Sequence, residues 1–165
     1  RALIRRPDRS EMPSSELPKV DLSDHFVLVV DDDETTRDLM VTLLSQCGAQ
    51  ARAVGNAREA LQELEAAVPG LVVADIGMPG EDGLSMMRRI RQRSPARGGL
   101  VRAIAISAYA RPEDRQAALA AGYDDFLAKP AMPAVRPWSK SMPYFFSRCQ
   151  RISVESPSNW PSSSI

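Results

Sequence analysis

Four short apolar runs in this chain each end on a polar side chain capable of chemistry, and that recurrence limits the available folds more than any other feature. Phe26-Val27-Leu28-Val29-Val30 runs into Asp31-Asp32-Asp33, and Val72-Val73-Ala74 into Asp75. Ala103-Ile104-Ala105-Ile106 runs into Ser107-Ala108, and Asp125-Phe126-Leu127-Ala128 into Lys129-Pro130. Uninterrupted apolar runs of this length belong to strands covered on both faces, the situation of a parallel sheet between helices.

The segments between the runs have helical periodicity. Leu39, Met40, Leu43, Leu44 and Cys47 recur at helical spacing, and Gly48 stands where a left-handed cap belongs. Gln50 to Val54 follows as a strand. Asn56 and Glu59 form a capping-box-like start for a helix burying Ala60, Leu61 and Leu64. Leu84, Met87 and Ile90 mark a third helix, whose other face carries Arg88, Arg89, Arg91 and Arg93, read as a solvated face. Met40, Met86 and Met87 read as core filler. Pro112, Glu113 and Asp114 open a fourth helix that Gly122 closes. Five βα steps in this order specify a doubly wound parallel sheet, with the last step the least regular.

The 165 residues, 44% of them hydrophobic, suffice for one core. Residues 1 to 24 mix prolines, charges and serines and read as a linker ahead of a globular unit at 25–130. Residues 131–165 hold five prolines, many serines and the Tyr144-Phe145-Phe146 cluster. Proline at that density forbids a regular helix throughout, leaving only 143–154 for a short one. Arg136, Lys140, Arg148 and Arg151 stand there against Glu155 alone, so the tail is mildly basic and the body mildly acidic. Neither has the basic patch of a nucleic-acid binder. No apolar run approaches the roughly 20 residues that cross a bilayer, so no membrane contact by this chain is expected. Cys47 and Cys149 lack metal-ligand spacing, and Cys47, on the apolar face of a helix, reads as a buried reduced thiol, which points to the cytoplasm.

Together the Asp31-Asp32 pair, the block Asp75-Ile76-Gly77-Met78-Pro79-Gly80-Glu81-Asp82-Gly83, the Ser107-Ala108 pair and the Lys129-Pro130 pair resemble, in order and spacing, the receiver domain of two-component signalling. This is the phosphoacceptor module of response regulators and hybrid histidine kinases. The resemblance spans Phe26 to Pro130. It implies a flavodoxin-like α/β fold, a five-stranded parallel sheet of order 2-1-3-4-5 whose site lies beyond the carboxyl ends of the strands. The final helix of the family has no regular counterpart here. The surface it covers must be hidden by the tail, by a partner chain, a homodimer being one such arrangement, or by an exchanged segment.

The resemblance further implies that Asp75 is the phosphoacceptor, and that Asp32, Asp75 and the Gly77 backbone carbonyl ligate Mg²⁺, with Asp31 acting through water. Three carboxylates so close repel one another and favour a divalent cation, and hard oxygen ligands favour Mg²⁺. Asp33 takes no metal role. Lys129 and the Ser107 hydroxyl would stabilise the phosphoryl oxygens, and Ser107 with Phe126 would form the conformational switch.

His25 is the single histidine and stands just before the first strand, which argues against a Ser-His-Asp triad. The chain lacks kinase ATP-binding motifs and His25 is on no evident helix, so the phosphoryl group must come from a histidine kinase or phosphotransfer protein. No independent enzyme is expected beyond the chain's own phosphoryl transfer and dephosphorylation. Ala105 to Ala110 with Glu113-Asp114-Arg115 resemble receivers fused behind histidine kinases, and the chain opens on Arg1. The expectation is therefore the carboxyl-terminal receiver of a hybrid sensor kinase. Alternatives are a stand-alone regulator and a degenerate receiver serving as an interaction or dimerisation scaffold; a metal-dependent phosphohydrolase ranks last.

Overall fold

The computed structural model describes residues 21–109, 111–129, 147–149 and 151. Strands and helices alternate as β1 (Phe26–Val30), α1 (Glu34–Gln46), β2 (Gln50–Val54), α2 (Ala57–Ala66), β3 (Leu71–Asp75), α3 (Gly83–Arg91), β4 (Arg102–Ser107), α4 (Pro112–Ala121) and β5 (Asp125–Ala128). All pairings are parallel, and the sheet order is β2-β1-β3-β4-β5, as expected.

Alternation along the strands divides the core into two layers, because successive side chains leave opposite faces. Leu28, Val30, Val72, Ala74, Ala103 and Phe126 pack on one face with Ala60 and Leu64 of α2, Met86, Met87 and Ile90 of α3, and Ala118 of α4. Val27, Val29, Leu71, Val73, Ile104 and Leu127 pack on the other with Met40 and Leu44 of α1. Each large aliphatic side chain fully buried there, such as Leu28 or Ile104, contributes about 1.5–3 kcal/mol in transfer free energy. All five residues of β3 are buried, whereas β2 exposes Gln50 and Arg52 at the sheet edge.

The helix ends obey local chemistry. Asp33 caps α1 by accepting the Thr36 amide at 2.6 Å, and Asn56 caps α2 by accepting the Glu59 amide at 2.9 Å. The expected capping box is shifted by one residue: the Glu59 carboxylate takes the amide of Gly55, at 3.0 Å. Gly48 and Gly122 close α1 and α4 at φ of 89° and 110°, the left-handed region that glycine enters freely.

Three sequence expectations need correction or refinement. Leu22, read as linker, is fully buried in the layer beneath α1, and its amide donates to Cys47 O at 2.7 Å. Arg91 and Arg93 do not lie on a solvated face. The Arg91 guanidinium donates through Nε to Gly122 O at 2.8 Å and through one terminal nitrogen to Val101 O at 2.7 Å and Gly99 O at 3.1 Å. The Arg93 side chain is 15% exposed and pairs with Glu65. Cys47 is half-buried rather than buried.

Of the short helix expected at 143–154, Ser147 to Cys149 and Arg151 are helical, and the rest lies outside the described residues, as do 1–20 and 130–146. Cys149 is fully buried in the same layer as Leu22. Arg148 pairs with Asp125, the first residue of β5.

Candidate phosphoacceptor site

β1, β3 and β5 deliver their terminal polar residues to one end of the sheet. Asp31 follows β1 directly and is fully buried. Its Oδ1 accepts the Asp33 amide at 3.0 Å, and its Oδ2 lies 2.6 Å from Lys129 Nζ. Asp75 ends β3 at 7% exposure, with Oδ1 accepting the Gly77 amide at 2.8 Å and Oδ2 accepting Lys129 Nζ at 2.6 Å. Asp32, next to Asp31, is exposed. One carboxylate oxygen from each of Asp31, Asp32 and Asp75 falls within 4.8 Å of the others.

The electrostatics follow from burial and pairing. Burial raises the pKa of Asp31 above the ordinary carboxylate value, although Lys129 and the Asp33 amide act the other way. Burial alone would lower the pKa of Lys129, but its contacts with Asp31 and Asp75 outweigh that and hold it above the ordinary lysine value. The ammonium therefore stays charged between the two carboxylates.

Ser107 ends β4 and is buried. Its Oγ accepts the Tyr109 amide at 3.1 Å, and its carbonyl accepts the Lys129 amide at 2.6 Å, which ties the ends of β4 and β5 together beside Asp75. Phe126 is buried in the layer facing α3 and α4. Asp33 takes no part in the acidic cluster and caps α1 instead.

Two contributors were not legible in the sequence. Arg37 donates from one nitrogen to the carbonyls of Asp31 and Asp32, at 2.8 and 3.0 Å, and so fixes the turn that aims both carboxylates. Tyr123, buried beneath α3, donates its hydroxyl to Gly83 O at 2.8 Å. A single Arg one turn into α1 and a Tyr beyond a glycine cap carry no sequence signal for either task.

The donor set is made of oxygens alone, and buried Asp31 has the exposed Asp32 carboxylate beside it. Hard, compact divalent cations fit such a set, whereas thiolate- or imidazole-seeking metals do not. Among the described residues no helix is long and apolar enough to cross a membrane.

Comparison with known proteins agrees with this geometry. Residues 27–135 match the response regulator receiver domain. A 14.6 kDa protein from the sodA1 3′ region of Leptolyngbya boryana is 48% identical over 107 residues, covering 65% of this chain and 80% of that protein. The sensor histidine kinase GacS of Pseudomonas protegens is 36% identical over 126 residues, or 76% of this chain and 13% of the kinase. The chain thus spans most of the first relative and a small part of the second. Among solved structures, the receiver domain of the sensor histidine kinase PA1611 of Pseudomonas aeruginosa, with a magnesium ion coordinated in its active site cleft, superposes with a TM-score of 0.61 at 27% identity, covering 78% of this chain and 93% of that one. The family match, the sheet order and the acidic cluster opposite Lys129 agree, and the chain belongs to the response regulator receiver domain family.

Proposed function

We propose that this chain is the phosphoacceptor of a two-component phosphorelay, taking a phosphoryl group onto Asp75 from a phosphorylated histidine of a kinase or phosphotransfer protein. The observation that carries the reading is the placement of the Asp75 carboxylate at a strand tip, hydrogen-bonded to Lys129 and within 4.8 Å of Asp31 and Asp32 oxygens. Asp32, Asp75 and the Gly77 carbonyl would hold Mg²⁺, with Asp31 acting through water. When bound, the ion supplies positive charge to the equatorial phosphoryl oxygens.

The chain's own residues do the rest. A carboxylate oxygen of Asp75 attacks phosphorus as the bond to the histidine nitrogen breaks, and that nitrogen leaves with the electron pair. Lys129 releases Asp75 Oδ2 and turns its ammonium to a phosphoryl oxygen as a compact point charge. The Ser107 hydroxyl donates to another. Movement of Ser107 opens room for Phe126, which has no hydroxyl to fix either rotamer, so the switch rests on packing alone.

Similarity to the receiver of PA1611 and to GacS supports placement within a cytoplasmic hybrid sensor kinase. Similarity to the 14.6 kDa protein over 80% of its length supports a second reading, a stand-alone regulator. An initiating Met immediately upstream of Arg1 would exclude the hybrid reading.

The test of function is incubation with acetyl phosphate and Mg²⁺, followed by intact mass. The expected result is one added phosphoryl group that is acid-stable only briefly, removed by hydroxylamine and lost entirely in Asp75→Ala. Label at an unchanged level in Asp75→Ala would overturn the assignment.

A further inference from the structure

The phosphoacceptor is seated on the first turn of α3, and that turn is gripped from a distant part of the chain. A Cβ on Gly83 would clash with Asp75 O and lie 2.9 Å from Ile76 Cα, so the backbone of α3 rests directly on that of Asp75. No side chain intervenes to absorb a displacement. Any shift of Gly83 is passed to Asp75 and to the connection that carries Gly77.

Gly83 O also receives the Tyr123 hydroxyl at 2.8 Å, from 40 residues away. A carbonyl in a first helical turn is ordinarily satisfied by the amide four residues on. A second, buried donor adds direction rather than rescuing an orphan. The neighbouring residue secures the opposite end of α3: Gly122 O accepts Arg91 Nε at 2.8 Å, and a Cβ on Gly122 would fall 2.7 Å from the Arg91 stem. Two consecutive residues between α4 and β5 thus hold α3 at both ends. Burial, reinforced by the negative charges of Asp75 and Asp82, raises the Tyr123 pKa, which keeps the hydroxyl protonated and able to donate.

We propose that Tyr123 is a positioning residue for the phosphoacceptor site, holding Gly83 so that Asp75 and the Gly77 connection keep the geometry needed for cation binding and phosphoryl transfer. This rests on the reading of Asp75 as phosphoacceptor. Tyr123 touches no reacting atom and acts through Gly83.

The test compares Tyr123→Phe, which keeps the ring, with Ile104→Val, a mild core change in the layer facing α1. Three quantities are measured on the full chain: amide exchange at Gly77 without metal, Mg²⁺ affinity by titration, and the rate of labelling by acetyl phosphate. The expected result is that Tyr123→Phe stays folded, exchanges Gly77 roughly three- to tenfold faster and weakens Mg²⁺ binding and labelling by a similar factor, the scale of one net hydrogen bond, while Ile104→Val leaves all three in place. Unchanged exchange and affinity in Tyr123→Phe overturn the proposal, and so do equal changes in both variants, since those report general loosening. If the wild-type chain takes no label, the phosphoacceptor reading fails, and Gly77 exchange with Mg²⁺ affinity still decides the role of Tyr123.

Discussion

Lys129 Nζ and Asp75 Oδ2 stand 2.6 Å apart, a charge-assisted hydrogen bond between the residue that ends β3 and the one that follows β5. The ammonium thus occupies one of the oxygens a metal would use, and it neutralises part of the charge that would attract one. Lys129→Ala is therefore expected to bind Mg²⁺ at least as tightly as the wild type, by isothermal titration, while labelling from acetyl phosphate falls by about tenfold or more, the loss of a single electrostatic contact in a transition state. Weaker Mg²⁺ binding in this variant would show that the ammonium supports the cation site rather than competing with it.

Asp31 carries a pH signature. Its folded pKa lies above the ordinary carboxylate value, with burial the largest cause. Folding is thus favoured by the protonated form: the contribution is complete below the unfolded value and is lost as pH rises through the folded one. In metal-free buffer, Asp31→Asn should gain stability relative to the wild type as pH rises from about 3 to about 7, read from urea midpoints. Added Mg²⁺ should narrow the difference by stabilising the wild type.

Within a helix, replacing glycine by alanine is usually stabilising by roughly 0.5–1 kcal/mol. At Gly83 the sign should reverse, since the added methyl meets the Asp75 carbonyl oxygen. Gly83→Ala is expected to lower stability by about 1–3 kcal/mol and to abolish Mg²⁺ binding, as measured by denaturation and titration. A stabilised Ala variant would mean that the contact relaxes easily.

Asp125 is nearly fully buried at the head of β5, paired with Arg148 and more distantly with Arg115 at 3.8 Å. Removing Arg148 leaves buried Asp125 with only the more distant Arg115, so Arg148→Ala should destabilise the fold by roughly 1–3 kcal/mol. The double variant Arg148→Ala with Asp125→Asn should recover part of that loss. Additive effects in the double-variant cycle would show that the two side chains are not coupled.

What was legible in the sequence depended on how locally each signal is encoded. The strands were readable because Val27 to Val30 and Leu71 to Ala74 are uninterrupted apolar runs, a consequence of burial on both faces. The cluster of Asp31, Asp32 and Asp75 was readable because a parallel sheet brings like strand ends together. Contacts between side chains and distant carbonyls were not. Arg91 belongs to a basic run that periodicity places on a helix flank, and nothing in that run reveals that the carbonyls of Gly99, Val101 and Gly122 cross it. Leu22 was hidden by its company, one apolar residue in a polar, proline-bearing stretch. The Tyr123 hydroxyl joins residues whose proximity exists only once α3 and α4 pack side by side.

Leu22 and Cys149, near the two extremes of the described chain, are both fully buried and sit in one hydrophobic layer, the layer that also holds Val27, Met40, Leu44 and Ile104. The consequence is mechanical. Tension on either flank is borne first by this layer, because pulling a flank extracts a plug from it. The opposite layer, with Met86, Tyr123 and Phe126, is shielded by the sheet. A fused domain tugging at one flank would loosen the seat of α1, and with it the grip of Arg37 on the turn that aims Asp31 and Asp32, before it disturbed the seat of α3.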